Sequence, residues 1–153
     1  MKNSHSIVGK IAFALGKGII AGLAGTAAIS IAQMIEMKIT KREPSDTPAK
    51  AVNKVLNVEA TDEAHKEQFV QQVHWTYGTL WGVTRGVLDL CGMKGMPGTA
   101  AHWAAVWGTE MIMLPSIDVA PPVKEWGAKE ISKDGMLHLV YAVAAGLVYD
   151  AID

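Results

Sequence analysis

His74-Trp75-Thr76-Tyr77-Gly78-Thr79-Leu80-Trp81-Gly82 opens one apolar stretch, and His138-Leu139-Val140-Tyr141-Ala142-Val143-Ala144-Ala145-Gly146 opens another. Both read His, two residues, Tyr, four residues, Gly. Each stretch approaches the length of a membrane span, about 20 residues. Histidine is rare in such a stretch and costly there without a partner. Two in register point to a duplicated helix with one polar position kept in both copies.

The correspondence reaches further. Gly25-Thr26-Ala27-Ala28 returns as Gly98-Thr99-Ala100-Ala101, and Glu36-Met37 as Glu110-Met111. A Pro-Ser segment with Asp follows each, at Pro44-Ser45-Asp46 and Pro115-Ser116-Ile117-Asp118, before the His-x-x-Tyr helix. Composition alone explains a shared Gly-Thr-Ala-Ala but not polar residues in the same order. The expected organisation is therefore a single membrane domain over 1–153, with one repeat at about 18–91 and the second at about 97–153.

Four apolar stretches are expected as spans: 19–37, 69–91, 97–114 and 136–152. They are apolar nearly all round, unlike the narrow stripe of a surface helix. Half of the residues are hydrophobic and 19% are charged, with 15 glycines. The mean hydropathy is only +0.18 because charged segments separate the spans. The predicted fold class is all-α, a four-helix transmembrane bundle of two tandem helix pairs; a buried soluble four-helix bundle is the competing reading. Gly92 and Gly95 with Pro97 form a tight turn that makes the second and third spans antiparallel. Ala49, Val52, Val55 and Leu56 recur at helical spacing between Lys50 and Lys54, which suggests a short helix at the membrane surface. The segment around Val123 and Trp126 would be its weaker copy.

Lys10 and Lys17 break the first apolar run and no clean cleavage site follows, so the first span is expected to be retained. Lys38, Lys41, Arg42, Lys50, Lys54, Lys66, Lys124, Lys129 and Lys133 fall on the side of the long connections; Lys2, Lys10, Lys17 and Lys94 fall on the other. The excess of bases favours long connections in the cytoplasm. Gly78, Gly82 and Gly86 make a glycine zipper, and Gly18/Gly22, Ala21/Gly25, Ala104/Gly108 and Ala142/Gly146 repeat the spacing. Small residues four apart let helix backbones approach closely in lipid. That packing can close within one chain or between subunits, so a homo-oligomer or a membrane complex partner stays open beside the lipid bilayer itself.

Glu36 and Glu110 lie near the ends of the first and third spans, His74 and His138 near the starts of the second and fourth. Alternating helix direction brings all four to one membrane face. The expected pairs are Glu36 with His74 and Glu110 with His138, because connected helices are usually neighbours. Such a cluster can hold a proton near neutral pH, bind a transition metal through nitrogen and oxygen, ligate haem through the two histidines, or simply lock helices together. Carboxylate-bridged di-metal bundles use Glu-x-x-His on one helix, and no such pair occurs in these spans. A second polar pair, Arg85 with Asp89, lies one turn apart on the second span; a local ion pair with Arg85 reaching outward is the expectation.

The His-Trp-Thr-Tyr-Gly of 74–78, then Gly98, Trp107, Leu114-Pro115, Pro121-Pro122 and His138-Leu139-Val140-Tyr141, resembles the small bacterial inner-membrane proteins of the YagU type. The resemblance covers about residues 15–150, with Ala142 where a Gly would be expected. It implies a multi-pass protein of the bacterial inner membrane and carries no established substrate or catalytic residue. No Gly-x-Ser-x-Gly, phosphate-binding loop or His-Glu-x-x-His occurs. Bases are not interleaved with aromatics as nucleic-acid binding requires, and the net charge of −1 offers no polyanion surface. The leading reading is a non-enzymatic membrane protein with no cofactor, serving proton-linked permeation, sensing or assembly with a partner. The alternative is a membrane metal- or haem-binding redox protein using the same four residues.

Overall fold

A computed structural model describes residues 6–152, apart from the side chain of Glu63. Helices α1 (Ile7–Thr40), α2 (Thr47–Leu56), α3 (Lys66–Leu90), α4 (Gly95–Ser116) and α5 (Ala128–Ala151) make the protein all-α, with no strand among the described residues. Single 3-10 turns at Glu63–His65 and Val123–Glu125 precede α3 and α5.

The first helix is longer than the span expected from the sequence. Ile7–Leu15 is continuous with it, and Ser6 caps its start by accepting a hydrogen bond from the Gly9 amide at 3.1 Å. At about 1.5 Å per residue, its 34 residues reach about 51 Å. It stops at Lys41, whose φ of 56° is left-handed. A short helix does form around Val52, as α2, and ends at a left-handed Asn57. Around Val123 the chain makes only one 3-10 turn. Gly92 and Gly95 both take positive φ in the turn between α3 and α4, a conformation that glycine adopts without steric cost.

Helix α1 packs against α3 and α5, and α4 against α5 and α3. The contacts run antiparallel along each pair. On α1 and α3, Ala14 faces Gly86, Gly18 and Gly22 face Gly82, and Thr26 faces Gly78. The glycine zipper is thus the seam with α1. A methyl group at Gly82 would run into the backbone of Gly18 and Gly22, so hydrogen is the only side chain this contact accommodates. On α4 and α5, Thr99 lies against Gly146. The four long helices form a ring, with α1 and α4 pointing one way and α3 and α5 the other.

The interior is built from small and polar residues. Ala21, Ala142 and Ala145 are fully buried, and so are Thr26, Arg85 and His102. Two small apolar clusters complete it, one of Ile29, Val106, Tyr141 and Ala142, the other of Ala21, Ala145 and Tyr149. Large apolar side chains point outward instead, among them Ile20, Leu23, Ile35, Leu80, Ile112 and Leu147. By length and hydropathy two of the four expected spans qualify, α1 and α5. Gln71, Gln72, Arg85 and Asp89 lower the hydropathy of α3, and His102 and Glu110 that of α4.

Candidate functional site

A cavity of about 750 Å³ occupies the half of the bundle on the side of the long connections. Its floor is Thr26 of α1, Gly78 and Trp81 of α3, and Tyr141 of α5; α2 covers it with Pro48, Ala51, Val52 and Val55. No lining residue comes from α1 before Thr26, α3 after Trp81 or α5 after Tyr141. Beyond that level the Gly18–Gly22–Gly82 contact closes the bundle. Tyr141 ties the floor together: its hydroxyl donates to the Gly78 carbonyl at 2.6 Å.

One side of the cavity carries a cluster of ionisable groups. His138 Nε2 lies 2.7 Å from Glu110 Oε2. Its Nδ1 donates to the Asp134 carbonyl at 3.0 Å and lies 3.6 Å from Asp134 Oδ1. Both ring nitrogens thus face acceptors. Trp107 Nε1 donates to Asp134 Oδ2 at 2.9 Å and holds that carboxylate in place. Trp107 is itself stacked on Trp103, whose Nε1 donates to the Gly135 carbonyl. One donor atom each from Glu110, Asp134 and His138 lie within 4.8 Å of one another, and all three residues are half-buried. Glu110 with His138 is one of the two pairs expected from the sequence.

The other pair does not form. Glu36 Oε2 accepts from Arg42 Nε and Nη2 at 3.1 and 2.8 Å, and Glu36 Oε1 lies 3.3 Å from Lys133 Nζ. His74 Nε2 instead meets the Ser30 hydroxyl at 3.0 Å. Two cations with long, flexible side chains reach Glu36 from the chain past α1 and from the start of α5. His74 sits nearly two turns deeper, opposite Ser30 on the α1–α3 seam. The expected four-residue cluster is therefore three separate groups, all on one end of the bundle, with His74, Glu110 and His138 lining the cavity and Glu36 behind Arg42 and Lys133.

Asp134 is the residue that sequence reasoning missed. It precedes His138 by four positions, one helical turn, so both side chains share a face. The signal in the chain is Asp-x-x-x-His, a spacing of four rather than the three of Glu-x-x-His. Arg42 and Lys133 carried no signal, because their contact with Glu36 depends on how the loop and α5 return to α1.

Arg85 also departs from the expectation. It is fully buried, and its Nη2 pairs with Asp150 Oδ1 of α5 at 2.6 Å rather than with Asp89. Its guanidinium lies 4.5 Å from the Tyr149 ring centroid, and Nη1 donates to the Met93 carbonyl at 3.3 Å. Asp89 accepts from the Tyr149 hydroxyl at 3.3 Å and lies 3.9 Å from Lys94. The helix turns Arg85 into the bundle, where α5 supplies a carboxylate and a ring face. Between this group and the cavity floor lies His102, whose Nε2 donates to the Trp81 carbonyl at 3.0 Å.

Comparison of the chain with protein-family models, curated proteins and solved structures gives no match.

Proposed function

We propose that this is a multi-pass membrane protein of four spans whose one-ended chamber takes up a small ligand from the compartment of the long connections. The observation that carries the reading is the chamber itself, lined by residues of both long connections and by no residue of α1, α3 or α5 beyond the level of Thr26, Trp81 and Tyr141. A closed floor favours binding or sensing over passive conduction. The sizes agree with that role, since small-molecule sites are concave, largely apolar and about 300–1,000 Å³, with a few placed polar groups.

The membrane assignment rests on an apolar outside around a polar inside. Only 33% and 28% of the apolar windows of α1 and α5 are buried within the protein. The core helix of a soluble protein would be mostly buried. Helices α3 and α4 cross with them because each keeps an ionisable residue inside the bundle: Arg85 and His102 are fully buried, which is where ionisable residues of spanning helices belong. The order long helix, short helix, long helix in residues 7–90 is followed by long helix, 3-10 turn, long helix in 95–151, which supports a tandem repeat. The resemblance to YagU-type proteins supports a bacterial inner membrane, with the base-rich connections in the cytoplasm.

Thiol accessibility tests the chamber. Cys91 is the only cysteine, exposed at the opposite end. In a Cys91→Ser background, Ser30→Cys and Gln33→Cys should react with a membrane-impermeant maleimide added from the side of the long connections. They should not react from the other side, and Thr99→Cys should stay unlabelled from both. Labelling of Ser30→Cys from both sides would replace the chamber by a through-pore. No labelling from either side would remove it.

A further inference from the structure

We propose that Glu110, Asp134 and His138 bind one divalent transition-metal ion of the first row in the chamber wall. The proposal rests on the chamber reading only for the route by which the ion arrives.

The geometry suits a single ion. Donor atoms bound to one such ion at about 2.0–2.2 Å stand at most about 4.4 Å apart, and here one from each residue fall within 4.8 Å. A rotation of the Glu110 or Asp134 side chain closes that difference. The backbone is rigid where it matters, because all three residues lie on α4 and α5, two helices packed side by side.

The surroundings are those of an oriented ligand set. Metal-binding histidines usually donate their other ring N–H to a carbonyl or carboxylate, which fixes the tautomer and the ring plane. His138 Nδ1 donates to the Asp134 carbonyl in this way, which turns Nε2 towards Glu110. Binding the ion releases to water the proton shared by Nε2 and Glu110 and replaces that hydrogen bond by two bonds to one centre. Asp134 has one carboxylate oxygen held by the Trp107 indole, which leaves Oδ1 for the ion. Trp107 is thus a positioning residue.

Charge points the same way. Two carboxylates share one imidazole here, while the nearby bases Arg42 and Lys133 both hold Glu36. With a neutral imidazole, a divalent ion makes this group neutral inside an otherwise mostly apolar chamber, where net charge is costly. One nitrogen and two carboxylate oxygens suit Zn²⁺, Mn²⁺, Fe²⁺ or Co²⁺ rather than a soft ion such as Cu(I). Three protein ligands leave positions for water or for a chamber ligand, the pattern of an open rather than a closed site.

The test is a titration of the full chain in lipid nanodiscs with Co²⁺ alone, read by its visible d–d absorption. We expect bands that saturate at one ion per chain. Glu110→Gln, Asp134→Asn and His138→Leu should each lose them. Trp107→Phe should keep them with an affinity about 10–100-fold weaker, the usual effect of removing an outer-shell partner. Glu36→Gln and His74→Leu should leave them unchanged. Each variant is compared at matched helicity, so loss of bands with loss of fold does not count. Absence of saturating bands in the unaltered chain would overturn the site. So would bands that survive both Asp134→Asn and Glu110→Gln, or that vanish in His74→Leu at full helicity. Failure of the chamber would show instead in the maleimide pattern, with the Co²⁺ bands intact but slow to form.

Discussion

Gly82→Ala is a one-methyl test of how the bundle is held together. The added carbon would meet the Gly18 carbonyl oxygen and the Gly22 backbone, with no flexible side chain to move aside. The α1–α3 seam must therefore open, and with it the neighbouring contacts of Ala14 with Gly86 and Thr26 with Gly78. Overpacking costs about 1–3 kcal/mol in general, and backbone-only neighbours place this case at about 2–3 kcal/mol. Alanine returns about 1 kcal/mol of helix propensity, for a net loss of about 1–2 kcal/mol. At roughly 2–4 °C per kcal/mol for a chain of this size, the melting temperature should fall by about 2–8 °C. Gly16→Ala is the matched control: it lies on α1 with nothing within 4 Å of the added methyl, so only the propensity gain remains and melting should rise by about 2–4 °C. Thermal unfolding of both variants in one detergent, followed by circular dichroism and by retention of the monodisperse peak, separates them. A Gly82→Ala protein that melts at or above the unaltered chain would refute the close seam.

Further outcomes follow from the same geometry. Asp150→Ala should destabilise more than Arg85→Met, because it leaves a fully buried guanidinium without its carboxylate, whereas Asp150 is 43% exposed and can turn to water; removing one partner of a buried pair costs about 3–5 kcal/mol, and thermal melts of the two variants rank them. Tyr141→Phe should cost about 0.5–1.5 kcal/mol, one hydrogen bond to the Gly78 carbonyl, measured the same way. Glu110→Gln combined with His138→Leu should be less harmful than the sum of the single changes, since the two groups meet at 2.7 Å; additive melting shifts would mean they are energetically independent. Reporters fused to the two ends of the chain should report one compartment, and a reporter inserted near Asp62 the opposite one; opposite reports for the ends would end the four-span reading.

The Glu110–His138 pair and the glycine seam were legible for a local reason. Residues four apart share a helix face, and helices consecutive in the chain are usually neighbours, so periodicity and chain order say which residues meet. The Glu36–His74 pair failed by the same logic applied too evenly to two halves of the chain that are not equivalent. Arg42 opens the first connection, two residues past α1, and Lys133 comes from α5, and both out-compete a histidine for Glu36. Asp134 could have been found by testing spacing of four as well as three.

The amino-acid order by itself determined the helices, their caps and turns, and the faces on which small residues lie. These follow from backbone preferences and from a period of 3.6 residues, which act within a few positions of the chain. Which charge meets which was decided only by the tertiary structure. Arg85 takes Asp150 rather than Asp89, and Glu36 takes Lys133 rather than His74, across sequence separations of 65 and 97 residues. The chamber belongs to the same category. It lies past the close α1–α3 contact at Gly82, walled by α1, α3, α4 and α5 with α2 folded over it. Ion pairs are strong only where burial removes competing water, and burial is a property of the assembled ring of helices, not of any one segment.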